Sequence, residues 1–264
     1  TPVVFYGDSN ILLAERGRKT GYGEAISLTP GEVQAIERRE RQVYGRVAHL
    51  FTLSDRLRRS FLEDFRLAPD RVTTIHGGAN FDVEQIPWPR AVPPDAPPTV
   101  LFVGRQFHRK GGDLLLEAFR SVRSRVDGAR LLIVGPADLS LDEPGVEVLG
   151  FLRKDTPDGW RRLVDAYAQS QVFCLPTRFE PFGIAFLEAM CFGLPCIGPD
   201  AWAVPEMVLN GETGFITPPE DPASLADGIV RLLQDRGMAD RMGRAGRARV
   251  MEYFTWPSAI RRMT

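Results

Sequence analysis

Two glutamates, Glu180 and Glu188, stand in the stretch RFEPFGIAFLEAMCFGLPCIG, residues 178–198. Phe186, Leu187, Ala189 and Met190 surround Glu188, a setting otherwise apolar enough for a core. A carboxylate is rarely buried there without a partner, because an unpaired buried charge is very costly. The chemistry open to such a pair is acceptance of hydrogen bonds from hydroxyl groups. The same stretch offers an anion site beside them. Pro181 suits the first turn of a helix, where its missing N–H is no loss. Gly183 lets another molecule approach the backbone, and Gly193 is a stop before Pro195. The amides of Phe182, Gly183 and Ile184 would then point out of a helix N-terminus at the carboxyl edge of a parallel sheet, where ligands of open α/β folds bind. A phosphate there would not tolerate Glu180 against it, so Glu180 is expected to face neutral hydroxyls. Glu188, a turn or two further in, suits vicinal hydroxyls such as those of a ribose. The competing reading pairs Glu188 with a core arginine and leaves Glu180 to favour the helix dipole.

A second cluster, VLFVGRQFHRKGGDLLLEAF, again runs strand, glycine turn, basic loop and helix. Arg105 and Lys110 lie between the sheet edge and a helix beginning near Gly112 or Asp113. Two cations suit a diphosphate, Arg with a bidentate grip and Lys as a point charge. The loop matches neither GxxxxGK[ST] nor GxGxxG, which argues against a P-loop and against a nicotinamide enzyme. His108 and Arg109 read as solvated loop residues. A third element, GPDAWAVPEMVLNGETGFITPP, has Gly211 and Gly214 bracketing a turn into a strand. Glu206 in it either lines the same pocket, caps a helix or faces solvent. His49, His76 and His108 lack paired ligands at metal-binding spacing, so no metal is expected.

These groups need a scaffold, and the chain supplies an alternating one. Short β-branched runs alternate with helical patterns, as in βα units with a parallel sheet. Strands are expected at 3–6, 48–53 and 72–76, with helices at about 31–46 and 55–66; Ser54 or Asp55 caps the latter. The stretch PWPRAVPPDAPP (87–98) cannot lie inside a sheet. Beyond it, strands fit 99–103, 130–134, 146–149, 172–176, 195–198 and 213–217. Helices fit 112–126, 159–169, 183–192, 203–209, 222–234 and 238–252. The fold class is therefore α/β with two Rossmann-like parallel-sheet domains, the first (1–84) incomplete and the second (99–264) complete, joined by a proline-rich linker at 85–98. Both ends read as cut. The open edge of the first sheet invites a second copy of the chain.

The 264 residues are 44% apolar and carry a formal net charge of −1, which gives no support to nucleic-acid binding. Cys174, Cys191 and Cys196 sit in apolar runs and read as reduced core thiols, pointing to the cytoplasm. No apolar run reaches the length of a spanning helix. Arginines crowd the C-terminal segment (Arg236, Arg241, Arg244, Arg247, Arg249, Arg261, Arg262). They read as a solvated helix face, with peripheral contact to a membrane surface as the alternative.

Together, VGRQFHRKGG, RFEPFGIAFLEAMCFGLPCIG and VPEMVLNGETGFITPPED resemble the donor-binding half of retaining glycosyltransferases of the GT4 family, which have the GT-B fold. The family's signature is a pair of glutamates spaced as Glu180 and Glu188 are. The resemblance implies that Arg105 and Lys110, with Gly104, Gly183 and Ile184, hold the diphosphate of a nucleotide sugar, and that Glu188 binds ribose. It puts Glu180, as the catalytic residue, with Pro181, Phe182 and Gly183 at the donor sugar, and Phe151 and Leu152 near the base. The segment before the linker resembles the close of the acceptor-side domain, with HGGAN where relatives carry an Asn-Gly-Val-Asp-like run. Gly7-Asp8 stands where many relatives have His-Asp, so Asp8, Ser9 and Asn10 are acceptor-side candidates. The glycine-rich loop near the start of relatives is missing. The C-terminal helix that crosses back to the first domain is also expected to be absent. The implied reaction moves a sugar from a UDP- or GDP-type donor to an acceptor hydroxyl of a glycan, polysaccharide or glycolipid, with no cofactor. Alternatives are a noncatalytic nucleotide-sugar-binding module or an epimerase or phosphorylase on the same fold.

Overall fold

The computed structural model of the protein describes residues 2–19, 28–81, 83–86, 88–89, 93 and 95–264. Residues 87, 90–92 and 94 of the proline-rich stretch lie outside the described residues. The chain builds two parallel sheets. The first holds β1 (Val4–Gly7), followed by α1 (Ile11–Lys19) and α2 (Pro30–Arg46), then β2 (His49–Thr52), α3 (Asp55–Glu63) and β3 (Val72–Thr74), in the order β1-β2-β3. α2 begins where its sequence directs: Thr29 and Glu32 form a reciprocal capping box and Pro30 opens the helix. Ser54, rather than Asp55, caps α3 by accepting the Leu57 N–H at 3.1 Å. β3 stops at Thr74, short of the expected 76, because His76 takes a positive φ of 57° that no strand accommodates.

The second sheet collects β4 (Thr99–Val103), α4 (Gly112–Arg125), β5 (Arg130–Val134), β6 (Val146–Gly150), α5 (Pro157–Gln169) and β7 (Val172–Cys174). It continues through α6 (Ile184–Cys191), β8 (Cys196–Pro199), α7 (Val204–Met207), β9 (Gly214–Thr217) and α8 (Pro222–Gln234). The strand order is β6-β5-β4-β7-β8-β9, with every neighbouring pair parallel. β4 is buried on both faces, as a strand covered by helices on either side must be. The order reverses between β4 and β7, and in such sheets the crevice at that reversal is where ligands bind.

Two helices follow, α9 (Arg236–Tyr253) and α10 (Trp256–Arg261). α10 corrects the expectation that nothing crosses back, because it lies on the first sheet. Arg262, just past it, donates to the Ile75 carbonyl at 2.7 Å, Ala79 N–H donates to the Phe254 carbonyl at 3.2 Å, and Trp256 meets the Tyr6 ring edge-on. A Cβ on Gly78 would come within 2.6 Å of the Trp256 nitrogen, so glycine is required at this crossing. Several C-terminal arginines are bolts rather than a solvated face. Arg249 donates to the Glu206 carbonyl at 2.8 Å, and Arg247 donates to Cys191 while lying over Trp88. Among the described residues, no helix is long and apolar enough to cross a membrane.

α7 ties the two sheets together. Both carboxylate oxygens of Glu206 accept backbone N–H groups at the start of α3, from Asp55 at 2.8 Å and Arg56 at 3.0 Å. This settles the three readings of Glu206 in favour of a cap, supplied from the other half of the chain to a positive helix end. His76 Nε2 lies 3.4 Å from the same carboxylate, and Asp55 completes a cluster whose members are far apart in sequence. The helix end beside them already occupies Glu206, so the cluster works as a clasp between the sheets. Phe179 and Trp202 reinforce it by entering the aromatic core of the first half.

Candidate functional site

β7 and the loop after it carry Glu180 to the reversal point, and α6 carries Glu188. Gly183 makes the junction: it sits at φ 103°, ψ 50° as the residue before α6 and has no side chain to cap it. A Cβ there would be 2.7 Å from Met207 Cε and 3.1 Å from Glu180 Cγ. Glycine thus allows both the left-handed turn and the close approach of Glu180. α6 begins at Ile184, so Pro181 lies in the loop ahead of the helix rather than in its first turn. The first amides of α6 have no side-chain cap and remain an anion-binding end. Phe182 is buried, its ring facing Gly77 and Leu53 of the first half, so only its backbone can serve a ligand.

Both glutamates are buried and both are paired with lysines, not with a core arginine. Lys110 donates to Glu180 Oε2, and Lys154 donates to Glu188 Oε1. Tyr167 O–H donates to Glu188 Oε2 at 3.4 Å. The apolar setting of Glu188 correctly implied a partner, but Lys154 was invisible to it. Lys154 sits after β6 and reaches Glu188 across space, with its Nζ 4.5 Å from the Phe81 ring. The only sequence signal was a lone lysine in FLRKDTP beside a strand end.

The pairs do not cancel the effect of burial. Desolvation holds the Glu188 carboxyl above its ordinary value although Lys154 and Tyr167 pull the other way. Desolvation likewise pulls Lys110 below its ordinary value against the attraction of Glu180. A carboxyl raised in the folded state keeps its proton where the unfolded chain has released it. Stability is therefore fullest below the ordinary carboxyl value and declines as pH rises through the raised one. Glu188→Gln is expected to abolish that decline, so the melting temperature of the variant gains on the unsubstituted chain as pH rises from the ordinary carboxyl range through the raised value. A gap that stays constant across this range refutes the assignment.

Arg105 is exposed and its guanidinium lies 4.8 Å from the centre of the Phe151 ring. Phe151 is 49% exposed whereas Leu152 is buried, so Phe151 forms a lip at the end of β6. Gly104 backs Lys110: a Cβ there would stand 2.9 Å from Lys110 Cγ. Arg105, Lys110, Glu180, Gly183 and Glu188 therefore follow the carboxyl ends of the adjacent strands β4 and β7, with Phe151 and Leu152 following β6. Arg109 was read as solvated, but it donates to the Phe179 carbonyl at 2.9 Å and braces the loop ahead of Glu180. His108 is exposed, as read. On the other side, Asn10 is consumed by the fold. Its Oδ1 accepts the Leu13 N–H at 2.8 Å and its amide donates to Ser60 Oγ at 3.0 Å, so of Asp8, Ser9 and Asn10 only Asp8 is exposed. Cys174, Cys191 and Cys196 are free and buried, and burial pushes the Cys191 thiol up to about 12.

Residues 97–235 match the family model described as Glycosyl transferases group 1. The chain is 28% identical over 256 residues to an uncharacterized glycosyltransferase of Methanocaldococcus jannaschii, covering 90% of this chain and 64% of that protein. It is 35% identical over 234 residues to a phosphatidyl-myo-inositol mannosyltransferase of Mycobacterium leprae, covering 86% of this chain and 60% of that protein. The chain thus spans about three-fifths of the length of these relatives. Its fold matches that of an Anabaena protein solved with UDP and glucose, with a TM-score of 0.75 at 18% identity over 99% of this chain and 70% of that one.

Proposed function

The chain belongs to the glycosyl transferases group 1 family, and from that premise we propose that it binds a UDP- or GDP-type sugar and transfers the sugar, with retention, to an acceptor hydroxyl. The observation that carries this reading is the pair of buried glutamates held by lysines at the reversal point, Lys110 on Glu180 and Lys154 on Glu188. Each lysine stands where a ligand group would replace it. An arriving diphosphate draws Lys110 away from Glu180 and meets Arg105 and the first amides of α6. That releases the Glu180 carboxylate to the hydroxyls of the donor sugar near the reacting carbon. Ribose hydroxyls donate to Glu188 in place of Lys154, which is 41% exposed at its side chain and can turn to solvent. Tyr167 stays on Glu188 throughout and keeps its carboxylate aimed.

The difficult step is departure of the nucleoside diphosphate while positive charge grows on the sugar. Arg105, Lys110 and the α6 amides are charges and dipoles already in place for the leaving group, so little reorganisation is needed as it departs. The acceptor hydroxyl attacks the reacting carbon, the bond to the diphosphate oxygen breaks, and the hydroxyl proton leaves with the diphosphate or solvent. The base lies against Phe151 and Leu152. The three free thiols support a reducing compartment such as the cytoplasm.

A thermal-shift panel of UDP, GDP, ADP and the matching monophosphates tests the donor assignment. A ligand at about 100 times its Kd stabilises by about 2.7 kcal/mol, and each kcal/mol is worth roughly 2–4 °C in a chain of this size. One diphosphate is expected to stand out over its monophosphate. Equal shifts for monophosphate and diphosphate, or none for any nucleotide, overturn the reading. Donor binding without transfer or hydrolysis would identify a binding module instead.

A further inference from the structure

A cavity of about 440 Å³ lies beyond the carboxyl ends of β7, β8 and β9, and Lys110, Glu180 and Glu188 do not line it. Arg16 and Arg56 of the first half face it, and the remaining wall comes from the second half. Its volume is in the range of small-molecule pockets, about 300–1,000 Å³. The wall is mostly apolar, with Leu114, Trp202 and Pro218 among its residues. Its cations are what set it apart.

Arg56 Nε is buried and has no hydrogen-bond partner among the described residues. Arg56 as a whole is half-buried, so the cost of that unmade bond is partial, yet a buried N–H without a partner calls for an explanation. The guanidinium is nevertheless held in place, because it stacks over Trp202 at 4.8 Å. Trp202 is fixed in turn by its indole N–H, which donates to the Arg178 carbonyl at 2.8 Å. The acidic group on the wall does not answer Arg56. Both oxygens of Glu220 accept from Arg178 at 2.8 Å, and Asp113 and the His108 carbonyl take two more bonds of that guanidinium, each at 2.7 Å. Arg16 is paired with Asp64. Burial, followed by the charges of Arg16 and Arg59, pulls Arg56 below its ordinary value, with Glu206 in opposition. The field at Arg56 therefore favours an anion.

We propose that this cavity is a second binding site, separate from the donor site, for a small organic anion: a carboxylate or phosphate ester held by Arg56, on an apolar body packed against Trp202 and Leu114. Because both halves of the chain contribute to the wall, such a ligand bridges them. The inference does not depend on the donor assignment, since none of the residues that would bind the nucleotide is used.

The test is titration of the chain with phenyl phosphate and benzoate as probes, alongside benzyl alcohol and inorganic phosphate, followed by NMR at the Arg56 Nε–H and Trp202 indole N–H. Both resonances are expected to move saturably with phenyl phosphate or benzoate, far less with the neutral alcohol or the bare anion. Arg56→Met should weaken binding about tenfold or more, in line with loss of a charge-assisted hydrogen bond. Pro218→Trp, at an exposed position on the rim, should weaken it by filling the space and remains informative if the arginine variant misfolds. Arg105→Ala at the donor site should leave probe binding unchanged. The proposal fails if neither resonance moves, if benzyl alcohol binds as tightly as phenyl phosphate, or if Arg105→Ala rather than Pro218→Trp removes binding. A response to phenyl phosphate but not benzoate would identify a phosphate ester as the ligand; the reverse would identify a carboxylate.

Discussion

Glu180→Gln is expected to lower turnover by about 10²–10³-fold, the effect of removing one preorganised electrostatic contact from a transition state, while nucleoside-diphosphate affinity holds or rises. The second half of that statement comes from the ion pair. In the unliganded chain Lys110 is bound to the Glu180 carboxylate, so a diphosphate must compete for it. A neutral amide at 180 ends the competition and leaves Lys110 free for the phosphate. Turnover falls because the group that steadies charge at the reacting carbon is gone. The signature is a drop in kcat with an unchanged or smaller Kd for UDP or GDP, measured by calorimetry beside single-turnover kinetics. A Kd that rises in step with the loss of kcat would show that Glu180 acts in ground-state binding and would sink the division of roles between the two glutamates.

Lys110→Met carries the second large effect, and it falls first on stability. The side chains of Lys110 and Glu180 are only 13% and 7% exposed. Removing the lysine leaves a buried carboxylate without its cation, which is worth about 3–5 kcal/mol. Adding Glu180→Gln removes the orphaned charge, so the double variant should recover most of the melting temperature lost by the single one. Contacting residues in one network are expected to be non-additive in this way. Against the rescued background, Arg105→Ala should then erase the preference for nucleoside diphosphates over monophosphates. A double variant no more stable than Lys110→Met would show that the lysine acts through packing. Retention of the diphosphate preference after loss of both cations would move the phosphate site elsewhere.

Much of the scaffold was legible because its signals are local. β-branched runs and their spacing located β4, β5 and α8 at their observed limits, since a buried parallel strand and an amphipathic helix impose their periods on neighbouring residues. α1 was missed, since it follows β1 after a polar turn; the helical pattern read in TWPSAIRRMT is α10, opened by Thr255 with a proline in its first turn. Arg236, Arg241, Arg244 and Arg261 are exposed as read, but Arg247, Arg249 and Arg262 were misread, because a run of cations looks alike whether it meets water or backbone carbonyls.

The two glutamates were found from sequence because a carboxylate among Phe186, Leu187 and Met190 contradicts its surroundings, and that conflict is visible within a few residues. Their partners were not. Lys154 is 34 residues from Glu188, and Lys110 is 70 from Glu180. Glu206 caps a helix 151 residues away, and Arg56 faces a cavity whose other walls come from three strand ends, α1 and α4. Hydrophobic period is a property of neighbours along the chain, so it survives in the letters. Charge neutralisation acts through space, and which cation satisfies which buried acid depends on where the folded strands end.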